Sequence, residues 1–291
     1  MKVLDFGSLN VDYVYSVPHI IEGGETLLST GMEVFSGGKG LNQAMALAKA
    51  GVEVYMAGKI GEDGQILLDD CAKYGVNTQY VKVLPGKGGH TIIQVNEEGQ
   101  NCIILYGGTN QMQTKEHMDE VLQNFGEGDY LVLQNEINLM GYLIDRAYEK
   151  GMRIVLNPSP FDERLKECDL KKVWLFLLNE IEGEQFTSRS DPDEIIESLR
   201  EMFPKSRFVL TLGSRGAVYA DRTQKVFQDI FQVKAVDTTA AGDTFTGYFI
   251  AGLIRGQTIE EILRMAAKAS SIAVSRRGAV PSIPTMDEVL G

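Results

Sequence analysis

Short apolar runs rich in β-branched residues alternate along most of this chain with stretches of helical period, and that alternation leaves few folds open. The runs Val3–Gly7, Val52–Ala57, Tyr130–Gln134, Arg153–Leu156, Trp174–Leu178 and Phe208–Leu212 have strand length and are apolar nearly throughout, as strands covered on both faces are. Between them lie the amphipathic stretches Leu41–Ala50, Gln65–Tyr74, Leu139–Glu149 and Glu194–Met202. Several helical stretches end at a glycine, Gly51, Gly75 or Gly151, the residue that most readily takes the left-handed helix-ending conformation. Strands joined by helical crossovers form βαβ units, and the right-handed crossover rule then predicts a doubly wound, mainly parallel sheet flanked by helices. The whole chain, residues 1–291, reads as one α/β domain with no internal repeat and no polar linker.

Two regions break the rhythm. Glu25–Phe35, then Val81–Val83 with His90–Val95 and Cys102–Tyr106, read as strands, the last two joined by the turn Asn96–Gln100. They form either a small β-sheet lid inserted at about 13–36 and 76–106, beside the main sheet, or an edge extension of that sheet. Toward the C-terminus the chain is mostly helical from Gly242 to Val274.

Charge narrows the partners. Lys plus Arg is 28 against 40 Asp plus Glu, a net −12, and the only basic pairs, Lys171-Lys172 and Arg276-Arg277, are too short for a phosphate-tracking stripe. Neither a nucleic acid nor an anionic membrane is expected as a partner. Cys71, Cys102 and Cys168 are odd in number and widely spaced, so they read as reduced core residues of a cytoplasmic protein. Asp5 interrupts the N-terminus before an apolar signal segment forms, and Val173–Leu178 and Gly247–Ile254 are far too short to span a bilayer.

Walker, dinucleotide-binding, zincin and hydrolase motifs are absent, and only His19, His90 and His117 are available for histidine chemistry. Carboxylates and backbone amides must therefore carry any catalysis. The stretch Gly37-Gly38-Lys39-Gly40-Leu41-Asn42 opens a helix, where glycines admit a ligand to the backbone and free amides favour an anion or an array of oxygens. A glycine-rich turn with no further role would look the same. The second stretch, Ala235–Gly247, places Asp243 in or near the first turn of a long apolar helix behind the small residues Ala240, Ala241 and Gly242. An ionised carboxylate beside uncovered helix-start amides suits phosphoryl transfer, whereas an aspartate that merely caps the helix is the commoner use of that position.

Gly37–Gly61 and Asp237–Gly247 resemble the two signature segments of the PfkB carbohydrate kinases, and the resemblance runs in order over nearly the whole chain. Gly7–Asp12 is similar to the family's first-strand sugar motif, Gln134-Asn135-Glu136 to the strand end that reaches the sugar, and Leu156–Pro160 follows in register. Asn179-Glu180-Ile181-Glu182 resembles the segment near magnesium and phosphate, Thr211–Gly216 the nucleotide loop, and Ala273–Ser282 the segment that helps hold a monovalent cation.

The resemblance implies that Asp243 is the catalytic base and that Ala240, Ala241 and Gly242 supply the anion hole. It implies sugar contacts from Asn10, Asp12, Gly38, Lys39, Asn42 and Glu136, together with Asp243. Asn179, Thr211, Gly213, Ser214, Gly216 and Gly242 would line the ATP site, with Glu182 organising Mg2+ indirectly. The K+ ligands implied are Asp237, Ser282 and the carbonyls of Thr239, Ala273, Arg276 and Gly278. Read singly, Asn10 and Asp12 are equally turn residues, Glu136 a surface charge and Asn179 a cap.

Two positions depart from the pattern. Tyr248 stands where a small residue is usual, which bears on packing behind the anion hole. Ala267 stands where Asn or His often borders the adenine, which bears on base recognition. The family implies transfer of the ATP γ-phosphoryl group to a primary hydroxyl of a small sugar, ribose first, in a homodimer joined through the lid. Alternatives are a kinase for a nucleoside, another pentose or a ketose phosphate, and a sugar-binding regulator without turnover.

Overall fold

The βαβ rhythm is present from the first strand onward in a computed structural model that describes residues 1–291. The chain runs β1 (Val3–Phe6), β2 (Asn10–Ser16), β3 (Gly31–Gly37), α1 (Lys39–Lys49), β4 (Val54–Ile60), α2 (Gln65–Tyr74), β5 (Asn77–Val83), β6 (Gly89–Val95) and β7 (Asn101–Tyr106). It continues through α3 (Lys115–Leu122), β8 (Tyr130–Gln134), α4 (Met140–Glu149), β9 (Arg153–Asn157), β10 (Leu175–Asn179), α5 (Glu180–Thr187), α6 (Pro192–Met202) and β11 (Arg207–Thr211). The last elements are β12 (Ala217–Ala220), β13 (Lys225–Gln228), α7 (Ala241–Ile254), α8 (Ile259–Val274) and α9 (Met286–Leu290).

Nine strands make the main sheet in the order β13-β12-β11-β10-β9-β8-β1-β4-β5. All neighbours are parallel except at the β11-β12 and β12-β13 pairs, so the sheet is doubly wound and mainly parallel as expected. Side chains alternate strictly between two cores. Val3, Val54, Met56, Tyr130 and Val132 join the core under α1, α7 and α8, while Leu4, Phe6, Leu131 and Leu133 join the core under α3, α4 and α6. This two-sided burial is why the strands read as continuous apolar runs. Asp5 is the exception: it is fully buried in the middle of β1, on the same face as Val3.

The lid is a separate sheet of order β3-β2-β6-β7, with β2 antiparallel to β3 but parallel to β6. Several expected boundaries change. The first half of Glu25–Phe35 is not strand, because β2 ends at Ser16, opposite Gly31, and the residues before Gly31 have no ladder partner. Val81–Val83 belongs not to the lid but to β5, the outermost strand of the main sheet, where Val83 pairs with Ile60 of β4. Thus part of the stretch 76–106 is an edge extension, and the second lid segment is the β6-β7 hairpin. Of the three thiols, all free, only Cys71 is a core residue; Cys102 is exposed on β7 and Cys168 is half-buried.

The carboxyl ends of β1, β8, β10 and β11 lie on one edge of the sheet, where the order of strand connection runs in opposite senses on either side of β1, the usual place for a site in such folds. Helices α1 and α7 pack on one face of the sheet with their N-terminal ends at that edge, in contact where Gly247 meets Ala46. No helix is long and apolar enough to cross a membrane.

Candidate active site

Asp243 is the third residue of α7, and its side chain makes no capping hydrogen bond. Its carboxylate instead accepts from two consecutive residues of α1: Asn42 Nδ2 reaches Oδ2 at 3.1 Å and Gln43 Nε2 reaches Oδ1 at 2.9 Å. The bland reading of Asp243 as a cap is therefore excluded. Ahead of it, Ala240 takes a left-handed conformation with φ 58°, which turns the chain sharply into the helix. The Ala241 N–H donates to Thr238 O at 3.3 Å, whereas the N–H groups of Ala240, Gly242 and Asp243 donate to no protein acceptor. A helix start with free amides, of the kind that can take an anion, is thus formed, with Gly242 its exposed member.

Two cavities meet there. One, of about 370 Å3, is lined by Thr211, Gly213, Ser214, Gly216, Gly242 and Ala267 among mostly apolar neighbours such as Ile230, Phe231 and Val233. The other, of about 200 Å3, is polar and is lined by Lys39, Asn179, Glu182 and Asp243. Thr211, Thr238, Ala241, Gly242 and Phe245 line both. Asn179 ends β10 directly opposite Thr211 of β11, so sheet register brings these two together. Asn179 also caps α5 in a reciprocal box: its Oδ1 accepts from the Glu182 N–H at 2.9 Å, and Glu182 Oε2 accepts from the Asn179 N–H at 2.9 Å. The cap reading of Asn179 is correct, and it fixes Glu182 at the cavity wall.

Lys39 stands among three carboxylates. Burial opposes its positive charge, but Asp243, Glu136 and Glu182 outweigh that and hold the ammonium above its usual pKa. Glu136 is no surface charge. Its Oε2 accepts from the Ser8 hydroxyl and from the Lys39 N–H, and burial pushes its carboxyl upward against the pull of Lys39.

Asn10 and Asp12 are not turn residues but lie on β2. Asn10 Oδ1 accepts from Asn110 Nδ2 at 2.7 Å, and Asn110 also binds the Leu9 N–H at 3.1 Å. Asp12 Oδ1 accepts from Thr91 Oγ1 at 2.6 Å, and burial raises its pKa to about 6. The next glycines are required sterically. A Cβ on Gly37 would come within 1.9 Å of Asp12 Oδ2, and Gly38, at φ 92°, would press a Cβ on the Asn10 N–H at 3.0 Å.

The segment around Asp237 forms a third cluster. Asp237 Oδ1 accepts from the Thr239 N–H and Oδ2 from the Gly278 N–H, both at 2.9 Å, while Val274 O accepts from the Asp237 N–H at 3.2 Å. Ser282 is fully buried and donates to Ala279 O at 2.8 Å. Ala273 O accepts from the Arg276 N–H at 3.0 Å, but the carbonyls of Thr239, Arg276 and Gly278 accept nothing from the protein. Oxygen donors carrying a single formal charge fit a hard monovalent cation. No group of three or more His, Cys, Asp or Glu side chains is arranged as a metal cage. Glu182 and Asp243, the carboxylates of the polar cavity, fit instead an ion that keeps most of its water, as Mg2+ does.

Tyr248 is fully buried, and its hydroxyl donates to Pro284 O at 2.8 Å, tying α7 to the C-terminal segment. Four residues that sequence reading missed belong to this region: Gln43, Gln134, Asp5 and Asn110. Their partners lie roughly 90 to 200 residues away along the chain, so no local spacing marks them.

The family model for pfkB family carbohydrate kinases matches residues 2–286. Ribokinase of Staphylococcus aureus is 33% identical over 301 residues, which cover 99% of this chain and 98% of that one. Deoxyribokinase of Salmonella typhi is 30% identical, over 99% of this chain and 97% of its own. The structure of Arabidopsis thaliana ribokinase complexed with ribose and ATP superposes with a TM-score of 0.87 at 28% identity, covering 99% of this chain and 97% of that chain.

Proposed function

The chain belongs to the pfkB family of carbohydrate kinases, with the ribokinase-like α/β fold, and on that premise we propose that it transfers the γ-phosphoryl group of ATP to the primary hydroxyl of ribose. One observation carries this reading: the Asp243 carboxylate and the unpaired helix-start amides stand together where a mostly apolar cavity meets a polar one. ATP fits the first, with its base between the walls near Ala267 and its phosphates at Gly242. Since Ala267 offers the base no side-chain hydrogen bond, recognition there is by apolar contact.

Asp243 accepts the proton of the sugar hydroxyl as the new O–P bond forms and the bond from the γ-phosphorus to the ADP oxygen breaks. The Ala240 and Gly242 amides meet the negative charge of the transferring group, and Ala241 joins them by giving up its long bond to Thr238. Glu182 holds Mg2+ indirectly at the cavity wall, and that ion neutralises phosphate charge when bound. The Asp237 cluster takes K+, which stiffens the loop leading into Ala240 without touching substrate.

Asn10, Asp12, Asn42 and Glu136, with the Gly38 backbone, read the sugar hydroxyls. The Lys39 charge is already offset by three nearby carboxylates, and a substrate phosphate brought near Glu136 would meet like charge. The pocket therefore favours a neutral pentose over a ketose phosphate. Exposed apolar residues on the lid, with Val34, Ile92 and Ile104 in register across three of its strands, fit a homodimer joined through the lids. The three unpaired thiols suit the reducing cytoplasm.

A coupled ADP-release assay over ribose, 2-deoxyribose, a nucleoside, fructose 6-phosphate and tagatose 6-phosphate tests the reading. The highest kcat/KM is expected for ribose, with a marked loss in Glu136→Ala. A higher kcat/KM for a ketose phosphate overturns the hydroxyl-pocket assignment, and no turnover of any sugar overturns the kinase reading.

A further inference from the structure

Behind Asp243, on the side away from the polar cavity, the core contains a line of polar side chains. Gln43 Nε2 donates to Asp243 Oδ1 at 2.9 Å, Gln134 Nε2 donates to Gln43 Oε1 at 2.8 Å, and the same nitrogen donates to Asp5 Oδ1 at 3.2 Å. Asp5, Gln43 and Gln134 are each 0% exposed. Such groups are costly to bury, and an apolar core would accommodate the same volume more cheaply. They come from three elements, β1, α1 and β8, that meet only in the folded chain.

The line has a direction. An amide nitrogen carries two hydrogens, and both hydrogens of Gln134 Nε2 are engaged, one by Asp5 and one by Gln43. If Gln134 were turned over, its carbonyl would face the carbonyl of Gln43. Turning Gln43 as well would aim its carbonyl at the Asp243 carboxylate. Asp5 therefore selects one orientation at Gln134, Gln134 selects one at Gln43, and Gln43 presents an N–H to Asp243.

We infer that Gln43 is a positioning residue for Asp243, with Gln134 and Asp5 fixing the orientation of its amide. The inference rests on Asp243 acting as the base. With Gln43 on Oδ1 and Asn42 on Oδ2, the carboxylate plane is set from two sides, and it cannot rotate onto the free amides of its own helix. At the far end Asp5 serves as the acceptor through Oδ1. No basic side chain reaches it, its Oδ2 has no partner, and burial raises its pKa well above the usual carboxyl value, with Asp243 adding to the rise and Gln134 opposing it.

The test compares variants by ADP release with ribose, ATP and magnesium, and by thermal unfolding. Gln43→Leu is expected to lower kcat about ten- to a hundredfold, the loss of one hydrogen bond to a charged group, with ribose KM within about threefold. Gln134→Leu, one step removed, is expected to lose roughly three- to tenfold in kcat. At the far end, Asp5→Leu is expected to lower kcat by about two- to fivefold and to lower Tm, since it leaves a buried N–H of Gln134 unpaired, whereas Asp5→Asn, which keeps an acceptor, recovers kcat. That rescue separates orientation from simple core packing, since a purely structural role would move Tm and leave kcat per folded molecule alone. Wild-type kcat in folded Gln43→Leu or folded Gln134→Leu, beside an inactive Asp243→Asn, overturns the inference while leaving the base in place. A fully active Asp243→Asn overturns both.

Discussion

A Cβ on Gly247 would lie 2.4 Å from the Cβ of Ala46, so α7 and α1 touch backbone to backbone at this pair. The contact lies one helical turn beyond Asp243 on α7 and one turn beyond Asn42 on α1, and it sets the distance across which those two side chains bond. The Asp243 carboxylate is thus held by the crossing of two helices, and the glycine is what lets them cross so closely.

Gly247→Ala is accordingly expected to cost about 1–3 kcal/mol of stability through overpacking. It should also lower kcat, because pushing the helices apart lengthens the bonds from Asn42 and Gln43 to Asp243. Urea unfolding and steady-state kinetics on the same preparation check both effects. Unchanged kcat in a destabilised variant would show that the crossing serves packing alone.

The lid contributes a pH signature. Burial lifts the Asp12 carboxyl from its ordinary 3.8 to about 6, with Thr91 opposing and the Glu136 charge adding to the rise. Between those values the folded protein binds more protons than the unfolded chain, so this group's contribution to stability is full below about pH 4 and is lost as pH rises through about 6. Asp12→Asn keeps an acceptor for Thr91 and removes the buried charge. It should be more stable than the parent by on the order of 1–3 kcal/mol at pH 8, with the two converging near pH 4, while ribose binding weakens. Denaturant unfolding across that range would expose a pH-independent difference, which contradicts the assignment.

Potassium is expected to raise turnover relative to a bulky organic cation at equal ionic strength, with magnesium and ATP constant. In Asp237→Ala the difference between the two salts should vanish. Equal rates in both salts for the parent protein would reduce the cluster around Asp237, Gly278 and Ser282 to a structural tie.

Light scattering on the purified protein is expected to report a dimer, and Ile104→Lys, on the exposed face of β7, should shift it to a monomer. A monomeric parent protein, or a variant that stays dimeric, would move the interface elsewhere.

How much of this was legible in the sequence follows from the range of each interaction. The long parallel strands, α1 behind Gly37-Gly38 and α7 with Asp243 in its first turn carry their signals within a dozen residues, and they lie close to where periodicity and glycine placement put them. The short antiparallel pair β12 and β13 escaped notice because four-residue strands give too little alternation to read. For Val81–Val83 the sequence leaves open a lid strand or an edge extension of the main sheet, because a strand's pattern does not name its neighbour; only pairing with β4 decides it. Glu136 and Asn10 were placed in the site by family resemblance, while singly each had an ordinary reading that the fold removes. Nothing local in the sequence points to the partners of Gln43, Gln134, Asp5 and Asn110, since these are brought near by the sheet and the helix crossing.

The claim that Asp243 is the base of a sugar kinase is tested most directly by Asp243→Asn, which keeps the size of the side chain and removes its capacity to take a proton. With ribose, ATP and magnesium, kcat is predicted to fall by roughly 10²–10⁴ while ribose affinity, measured by calorimetry, stays within about threefold. Turnover near the parent value in the folded variant would contradict the account.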